Sequence, residues 1–112
     1  MSKVKITWLG HASIKVEQGG NTILFDPWIR ENPACPINIE QIEKADAVCV
    51  THGHNDHIGD SIEIVKKTGA LLICSPEIAF YAERHGIIYD EKSIPMNDPA
   101  VSCRVSKTSR KV

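Results

Sequence analysis

Regular alternation of apolar and polar residues marks the start of the chain. Residues 4–8 and residues 12–16 each place an apolar side chain at every second position, which is typical of half-buried strands. The sequence QGGN at 18–21 carries two glycines that can adopt the positive φ angles of a hairpin turn. TILF at 22–25 follows as a third strand. The chain therefore opens with a predicted β-meander.

The hydrophobic pattern changes after a loop at 26–36 that contains three prolines. The apolar runs at 46–50 and 70–74 are typical of strands that are covered on both faces. The segments 60–68 and 76–85 instead repeat apolar residues along one helical face. This order of elements predicts a single α/β domain with layers of helix packed on a mixed sheet.

Residues that favour helix ends support these boundaries. Asn38 is a candidate N-cap for a short helix over 39–45, and Ser75 is one for the last helix. Asp60 and Glu63 fit a variant of the capping box at the start of the middle helix. Gly69 is placed to end that helix.

Composition narrows the class of protein. The chain has 112 residues, which suits one small domain, and its net charge of −1 offers no basic surface for nucleic acid. No apolar run reaches the length of a membrane span, and the first residues lack the apolar block of a signal peptide. Cys49 and Cys74 lie inside apolar runs and no CxxC is present, so we expect buried thiols in a reducing cytoplasm.

The charge is distributed unevenly along the chain. Residues 1–100 carry a net charge of −5, whereas residues 101–112 carry +4 and no acidic group. A short strand is expected at 87–89, and 90–112 give no clear element. The best interpretation of the end of the chain is a polar, basic tail.

The sequence THGHNDHIGD at 51–60 contains three of the five histidines of the chain. It spells H-x-H-x-D-H directly after a buried strand, and ligands gather at the carboxyl ends of strands in open α/β sheets. Imidazole and carboxylate groups are ligands that zinc accepts. In an extended segment His52 and His54 point to the same side and can share one metal. Asp56 and His57 can face a second metal, or the same one from another angle.

Two other interpretations of this motif remain open. The first is a solvated polar loop that binds nothing. The second is a structural zinc site, which usually uses thiolates, and no cysteine lies in the motif. Gly53 is expected to let the backbone crowd the site, and Gly59 to free the turn behind it.

The motif H-x-H-x-D-H after an apolar strand resembles that of the metallo-β-lactamase superfamily of metal-dependent hydrolases. ITWLGHAS at 6–13 and ILFDPW at 23–28 resemble the opening of the branch with ascorbate-6-phosphate lactonase-like and N-acyl-phosphatidylethanolamine phospholipase D-like proteins. The resemblance covers residues 3 to about 96. It implies the N-terminal half of an αββα sandwich, an α/β fold with one mixed sheet and helices on one face.

The resemblance also implies metal ligands. His52 and His54 would bind the first metal, and Asp56 and His57 would bind the second. Asp56 would in addition act in catalysis by orienting the nucleophilic water.

Two further residues receive roles from the same resemblance. Asp26 matches an aspartate that supports the metal-binding loop, as carboxylates do when they hold a ligating imidazole in the right tautomer. His11 matches a histidine near the active site and is a candidate catalytic residue, although a histidine bonded to backbone at a strand end is equally compatible. Trp8 and Trp28 are expected to be core or pocket wall.

The expected cofactor is one or two Zn²⁺ ions, and Mn²⁺ or Fe²⁺ would also suit a histidine–carboxylate site. Such a metal lowers the pKa of a bound water from ~15.7 to about 7 and polarises a carbonyl or phosphoryl oxygen. The implied substrate is a small molecule with an ester, lactone, amide or phosphodiester bond. We expect neither nucleic acid nor a membrane as a partner.

The chain departs from the family after its first half. Full-length relatives are longer, and their second half supplies a further histidine, a bridging carboxylate and a final histidine. After His57 this chain has only His85. We therefore expect a truncated metallo-β-lactamase-like domain at 1–97 and a divergent tail at 98–112, as after a frameshift.

This departure keeps two other functions open. One is a truncated, non-catalytic metal-binding fragment. The other is a dimerising interaction module in which the motif is a relic. A half-sandwich leaves one apolar face of its sheet exposed, and a homodimer would cover that face and would be able to donate ligands in trans.

Overall fold

Six strands form one sheet within residues 3–87 and 103–105, which are the residues that the computed structural model describes. They follow one another across the sheet in the order of the sequence. The strands are β1 Lys5–Trp8, β2 Ile14–Gln18, β3 Asn21–Phe25, β4 Ala47–Cys49, β5 Leu71–Cys74 and β6 Cys103–Val105.

The sheet is mixed, which confirms the predicted α/β class. β1, β2 and β3 are antiparallel, β3 to β5 are parallel, and β6 returns antiparallel to β5. The helices are α1 Asn55–Ile58, α2 Ser61–Thr68 and α3 Pro76–Arg84, with a 3₁₀ turn at Ile39–Gln41. No helix in the described part of the chain has both the length and the apolar character that a membrane span requires.

One face of the sheet, here called the covered face, packs against the helices. Leu24, Val48 and Leu72 are paired across β3, β4 and β5 and are all 0% exposed. Each contributes roughly 1.5–3 kcal/mol by burial. Their partners on the helix side are buried residues of α2 and α3, among them Ile64, Val65, Ala79 and Ala82.

The opposite face, here called the bare face, is apolar but largely uncovered. One row of paired residues across β1 to β4 is Ile6, Val16, Ile23 and Ala47, and the next is Trp8, Ile14, Phe25 and Cys49. Ile6 is 68% exposed and Trp8 is 65% exposed. Trp8 is therefore not a core residue, contrary to one of the two roles expected for it. The homodimer expected over this face stays a prediction.

The helix ends agree only in part with the sequence. Ser75 caps α3 by accepting from the Ile78 amide at 3.4 Å, and Gly69 ends α2 in the left-handed conformation, as predicted. The helix after Asn38 is a single 3₁₀ turn instead of a segment reaching residue 45. The predicted capping box is wrong, because the side chain of Asp60 makes no cap bond to α2 and binds another loop.

The end of the chain differs from the expected tail at one point. Residues 103–105 pair with β5 as an edge strand, whereas the sequence predicted a polar, basic tail without a clear element there. Residues 88–102 and 106–112 lie outside the described residues. These ranges include the rest of the predicted tail and most of the strand expected at 87–89. The domain boundary at residue 97 stays a prediction.

Candidate metal centre

Three loops meet at one edge of the sheet and carry the chemistry-bearing residues. They are the turn between β1 and β2 at 9–13, the loop after β3 at 26–30, and the segment at 51–57 between β4 and the end of α1. The first two come together because Ser13 donates to the Asp26 carbonyl at 2.7 Å and accepts from the Trp28 amide at 2.9 Å. The Asp26 amide donates to the Cys49 carbonyl at 2.8 Å, which ties the second loop to β4.

Asp26 lies at the centre of these loops as a buried carboxylate. It accepts from the Thr51 amide at 2.7 Å, from the Thr51 hydroxyl at 2.7 Å and from His57 Nδ1 at 3.0 Å. Its backbone has a φ of +45°, a conformation that is uncommon outside glycine. These contacts hold the segment at 51–57 against the Asp26 loop, and the role of Asp26 toward a metal stays a prediction.

The hydrogen bonds determine which imidazole nitrogens remain available. A carboxylate can only accept, so His57 Nδ1 carries a proton, and in the neutral ring Nε2 keeps its lone pair. The Thr51 hydroxyl gives its one proton to Asp26, so it accepts from His52 Nδ1 at 2.8 Å. In the neutral ring His52 Nε2 keeps its lone pair as well. Both rings present the nitrogen that a metal requires.

His11 and Asp56 face His57 from the other side. His11 Nε2 lies 3.0 Å from Asp56 Oδ2, and His57 Nε2 lies 3.8 Å from Asp56 Oδ1. Desolvation alone would raise the pKa of Asp56. Its own backbone amide and the His57 and His11 rings lower that pKa more, so the net pKa is below the ordinary value of 3.8. Asp56 is thus ionised at neutral pH, as a metal ligand must be.

His52 and His54 form a neighbouring pair of exposed rings. Their centroids lie 4.7 Å apart, and the His52 ring lies 4.0 Å from that of His57. The two side chains are therefore together, as the i, i+2 spacing predicts. Their assignment to a first metal stays a prediction, as do the assignments of Asp56 and His57 to a second one. We use "the histidine cluster" for His11, His52, His54, Asp56 and His57.

The donor set fits a divalent metal. Within the residues described here, one ligand atom from each of His11, Asp56 and His57 lies within 4.8 Å of the other two. Ligand atoms in a tetrahedral zinc site lie roughly 3.3–3.6 Å apart, since each is about 2.0–2.2 Å from the metal. His52 and His54 add two more imidazoles beside this group.

Cys49 does not belong to this donor set. Its thiol lies on the bare face next to the Asp26 loop, and burial followed by the charge of Asp26 raises its pKa. A protonated thiol is a poor ligand and a poor nucleophile. The described part of the site therefore relies on nitrogen and oxygen donors.

Several residues that support the site were missed by the sequence analysis. Thr51 joins Asp26 to His52, and Ser13 joins the first two loops. Asn32 donates to the Gly10 carbonyl at 3.0 Å and holds the turn before His11. Ser13 and Asn32 are buried polar residues, but their sequence context gives no hint of their partners.

The segment behind the cluster is attached to the Asp26 loop. Asp60 accepts from the Ile29 amide at 2.7 Å and from the Arg30 amide at 2.9 Å. A Cβ atom at Gly59 would lie 2.6 Å from the Pro27 carbonyl oxygen, so glycine is required there, as predicted. The prediction for Gly53 is wrong, because a Cβ there would meet nothing within 4 Å.

Comparison with known proteins gives a consistent result. A family model described as the metallo-beta-lactamase superfamily matches residues 6–105. A UPF0173 metal-dependent hydrolase from Koribacter versatilis is 47% identical over 85 residues, which are 75% of this chain and 36% of the relative. One from Methanopyrus kandleri is 46% identical over 84 residues, with the same two shares. The chain thus spans 36% of the length of these curated relatives.

Solved structures show the same architecture. Igni18, a metallo hydrolase from the archaeon Ignicoccus hospitalis, matches with a TM-score of 0.67 and 40% identity, over 74% of this chain and 36% of that one. A putative metal-dependent hydrolase from Parabacteroides distasonis has a TM-score of 0.61 at 24% identity and supports the fold alone. The family resemblance and the fold predicted from the sequence are confirmed.

Proposed function

The chain belongs to the metallo-beta-lactamase superfamily, and on this premise we propose that it is a metal-dependent hydrolase of ester, lactone or phosphodiester substrates. The observation that carries the proposal is the histidine cluster around Asp26. It combines imidazole rings whose Nδ1 atoms are held by hydrogen bonds with an ionised carboxylate at the carboxyl edge of the sheet. The chain spans 36% of its curated relatives, so the activity is proposed for this chain and not transferred from them.

The residues of the cluster divide the work in the proposed reaction. Asp26 fixes the His57 ring through Nδ1, and Thr51 fixes the His52 ring through its hydroxyl, so Nε2 of each ring is the atom that would bind the metal. Asp56 carries the negative charge that accepts a proton from the attacking water and orients that water. The bound metal supplies a lowered water pKa and polarises the oxygen of the scissile bond.

Zinc is the metal that we propose, because two imidazoles and a carboxylate are a common set of protein ligands for catalytic zinc. Mn²⁺ and Fe²⁺ suit the same donors, and metal supply in the cell influences which one is bound. We expect the purified chain to contain zinc, with manganese or iron as the alternatives that elemental analysis would reveal.

The experiment combines metal content with turnover on the full 112-residue chain. Metal per chain is measured by mass spectrometry after exhaustive dialysis, and hydrolysis is followed with p-nitrophenyl esters, a chromogenic lactone and bis(p-nitrophenyl) phosphate. His52→Ala and His54→Ala are expected to lower metal content and turnover together. His85→Ala is the matched control, because that histidine binds the Tyr81 carbonyl at the end of α3, away from the cluster.

The outcomes separate the proposed functions. Metal with turnover that follows metal content supports the hydrolase. Metal without turnover on any of the three substrate classes supports the non-catalytic metal-binding fragment. A chain that holds no divalent metal at micromolar concentrations contradicts both and leaves the motif as a relic.

A further inference from the structure

We propose that His11 is a direct ligand of the metal that Asp56 and His57 bind, so that these three residues form a complete three-ligand site. The proposal rests on the proposed function, since it concerns the same metal centre. The family resemblance implies only that His11 lies near the active site. From the first half of the fold, it assigns only two ligands, Asp56 and His57, to this metal. A third ligand matters because catalytic zinc is normally held by three protein side chains.

Position is the first argument for His11. Its Nε2 is 3.0 Å from Asp56 Oδ2, and its ring centroid is 5.3 Å from that of His57. His11 comes from the turn between β1 and β2, whereas Asp56 and His57 come from α1. Three donor side chains from two separate segments therefore lie close together. A cation bound between them would also neutralise the charge of Asp56.

Preorganisation is the second argument. The His11 carbonyl accepts from Trp8 Nε1 at 2.8 Å, and its ring meets the Trp28 ring edge-on at 5.5 Å and 75°. Asn32 fixes the residue before it. Hydrogen bonds to the backbone of its turn and the contact with the Trp28 ring thus hold the imidazole against the cluster, as expected for a ligand.

Backbone strain is the third argument. His11 has a φ of +55°, and among the described residues only His11 and Asp26 are non-glycine residues with positive φ. Both lie in the centre. Such conformations are strained and cluster at functional sites. The side chains of His11 and Asp56 are 45% and 42% exposed, and an exposed pair of this kind stabilises a fold too little to account for the strain.

The first experiment measures zinc affinity by competition with a chromophoric chelator. The variant is His11→Gly, because glycine accepts the positive φ and removes the imidazole, so the chain should unfold at or above the wild-type denaturant midpoint. We expect zinc affinity at this site to fall by at least about 100-fold, more than the 10–100-fold typical of losing a partner that only supports a ligand. His85→Ala is the control and should bind zinc like the wild type.

The second experiment asks whether the contact is a bond to the metal. The chain is loaded with ¹¹³Cd²⁺, and a ¹H–¹¹³Cd correlation spectrum reports which imidazole rings are coupled to the ion. We expect correlations from His11 and His57, and loss of the His11 correlation alone in His11→Gly.

The two proposals fail in different ways. A wild-type chain that binds neither zinc nor cadmium contradicts the proposed function as well as this inference. A chain that binds metal, shows no His11 correlation and keeps its affinity in His11→Gly contradicts the inference alone. Reduced affinity without a His11 correlation would also overturn it, since His11 would then only position Asp56.

Discussion

Leu24 and Phe25 are neighbours in β3, but they lie in different environments. Leu24 is 0% exposed against the helices, whereas Phe25 is 36% exposed on the bare face. The same contrast runs across the sheet, from the buried row at Val48 and Leu72 to the exposed row at Ile6. The described residues therefore build a complete core on one side of the sheet and an uncovered apolar surface on the other. Stability should depend on the first face, and association on the second.

The largest expected effect tests the covered face. Leu24→Ala removes a fully buried side chain from the middle of the core and should lower the free energy of unfolding by about 2–5 kcal/mol. The loss combines the transfer free energy of the missing methyl groups with the cavity that remains. Urea denaturation followed by far-UV circular dichroism measures it.

Phe25→Ala is the matched control, one residue away on the bare face. It removes a larger side chain but one that is already partly in water, so the loss should be smaller than that of Leu24→Ala. Equal losses would mean that the bare face is covered in solution, and the contrast between the faces would then be wrong.

The sequence predicted the strands well but not which of their faces is covered. The alternation of apolar and polar residues at 4–8 correctly indicated a strand. Because side chains alternate between the two faces of a strand, it also correctly placed the apolar residues on one side of the sheet. It cannot say what lies against that side, because the covering layer depends on distant elements. Val4, Ile6 and Trp8 were expected on the buried side of a half-buried strand, but they are 53%, 68% and 65% exposed.

The sequence likewise predicted one part of the candidate site and not another. The motif at 52–57 was visible because its donors are close in sequence and follow a buried strand. The approach of His11 to Asp56 was not predictable from spacing, since 45 residues separate them. It depends on a turn with positive φ and on the buried Ser13 and Asn32, whose partners only the folded chain reveals.

The next prediction concerns a charged residue that lies on the buried side. Asp26 follows β3 and is 4% exposed, and its carboxylate accepts from Thr51 and His57 in the candidate metal centre. Asp26→Asn keeps shape and tolerance of positive φ, but its amide group cannot accept from all three donors. We expect a loss of about 1–3 kcal/mol in unfolding free energy. Zinc affinity should fall by roughly 10–100-fold.

Asp46→Asn is the control for this change. Asp46 also accepts a backbone amide, that of Thr22 at 2.7 Å, but its side chain is 45% exposed. It should lose no more than about 1 kcal/mol and bind zinc normally. If Asp26→Asn keeps wild-type zinc affinity, the carboxylate of Asp26 stabilises the fold but does not organise the metal site.

A smaller effect is expected from an exposed contact between the Asp26 loop and α2. Arg30 Nε donates to Glu63 at 3.0 Å, and this hydrogen bonding chiefly lowers the pKa of Glu63 below its ordinary value of 4.5. The folded state therefore binds the proton more weakly than the unfolded state. The contribution to stability is present above about pH 4.5 and is lost as the pH falls through the lowered pKa.

The measurement compares denaturant midpoints of the wild type and Glu63→Gln at pH 6 and at pH 3.5. The two proteins should differ slightly at pH 6, and the difference should be smaller at pH 3.5. Both side chains are about half exposed, so 1 M salt should also reduce the difference at pH 6. A difference that grows on acidification would contradict the assigned direction of the pKa shift.

The smallest change in stability is expected on the bare face, where Ile6→Lys tests association. Ile6 is 68% exposed, so a lysine there should leave the unfolding free energy of a monomer nearly unchanged. If a homodimer covers this face, as the sequence analysis predicts, light scattering should show a dimer for the wild type and a monomer for Ile6→Lys, since an unpaired charge would be buried at the interface. Lys44→Ile, on the exposed loop before β4, is the control and should keep the oligomeric state of the wild type. A monomeric wild type would contradict the homodimer while leaving the contrast between the two faces intact.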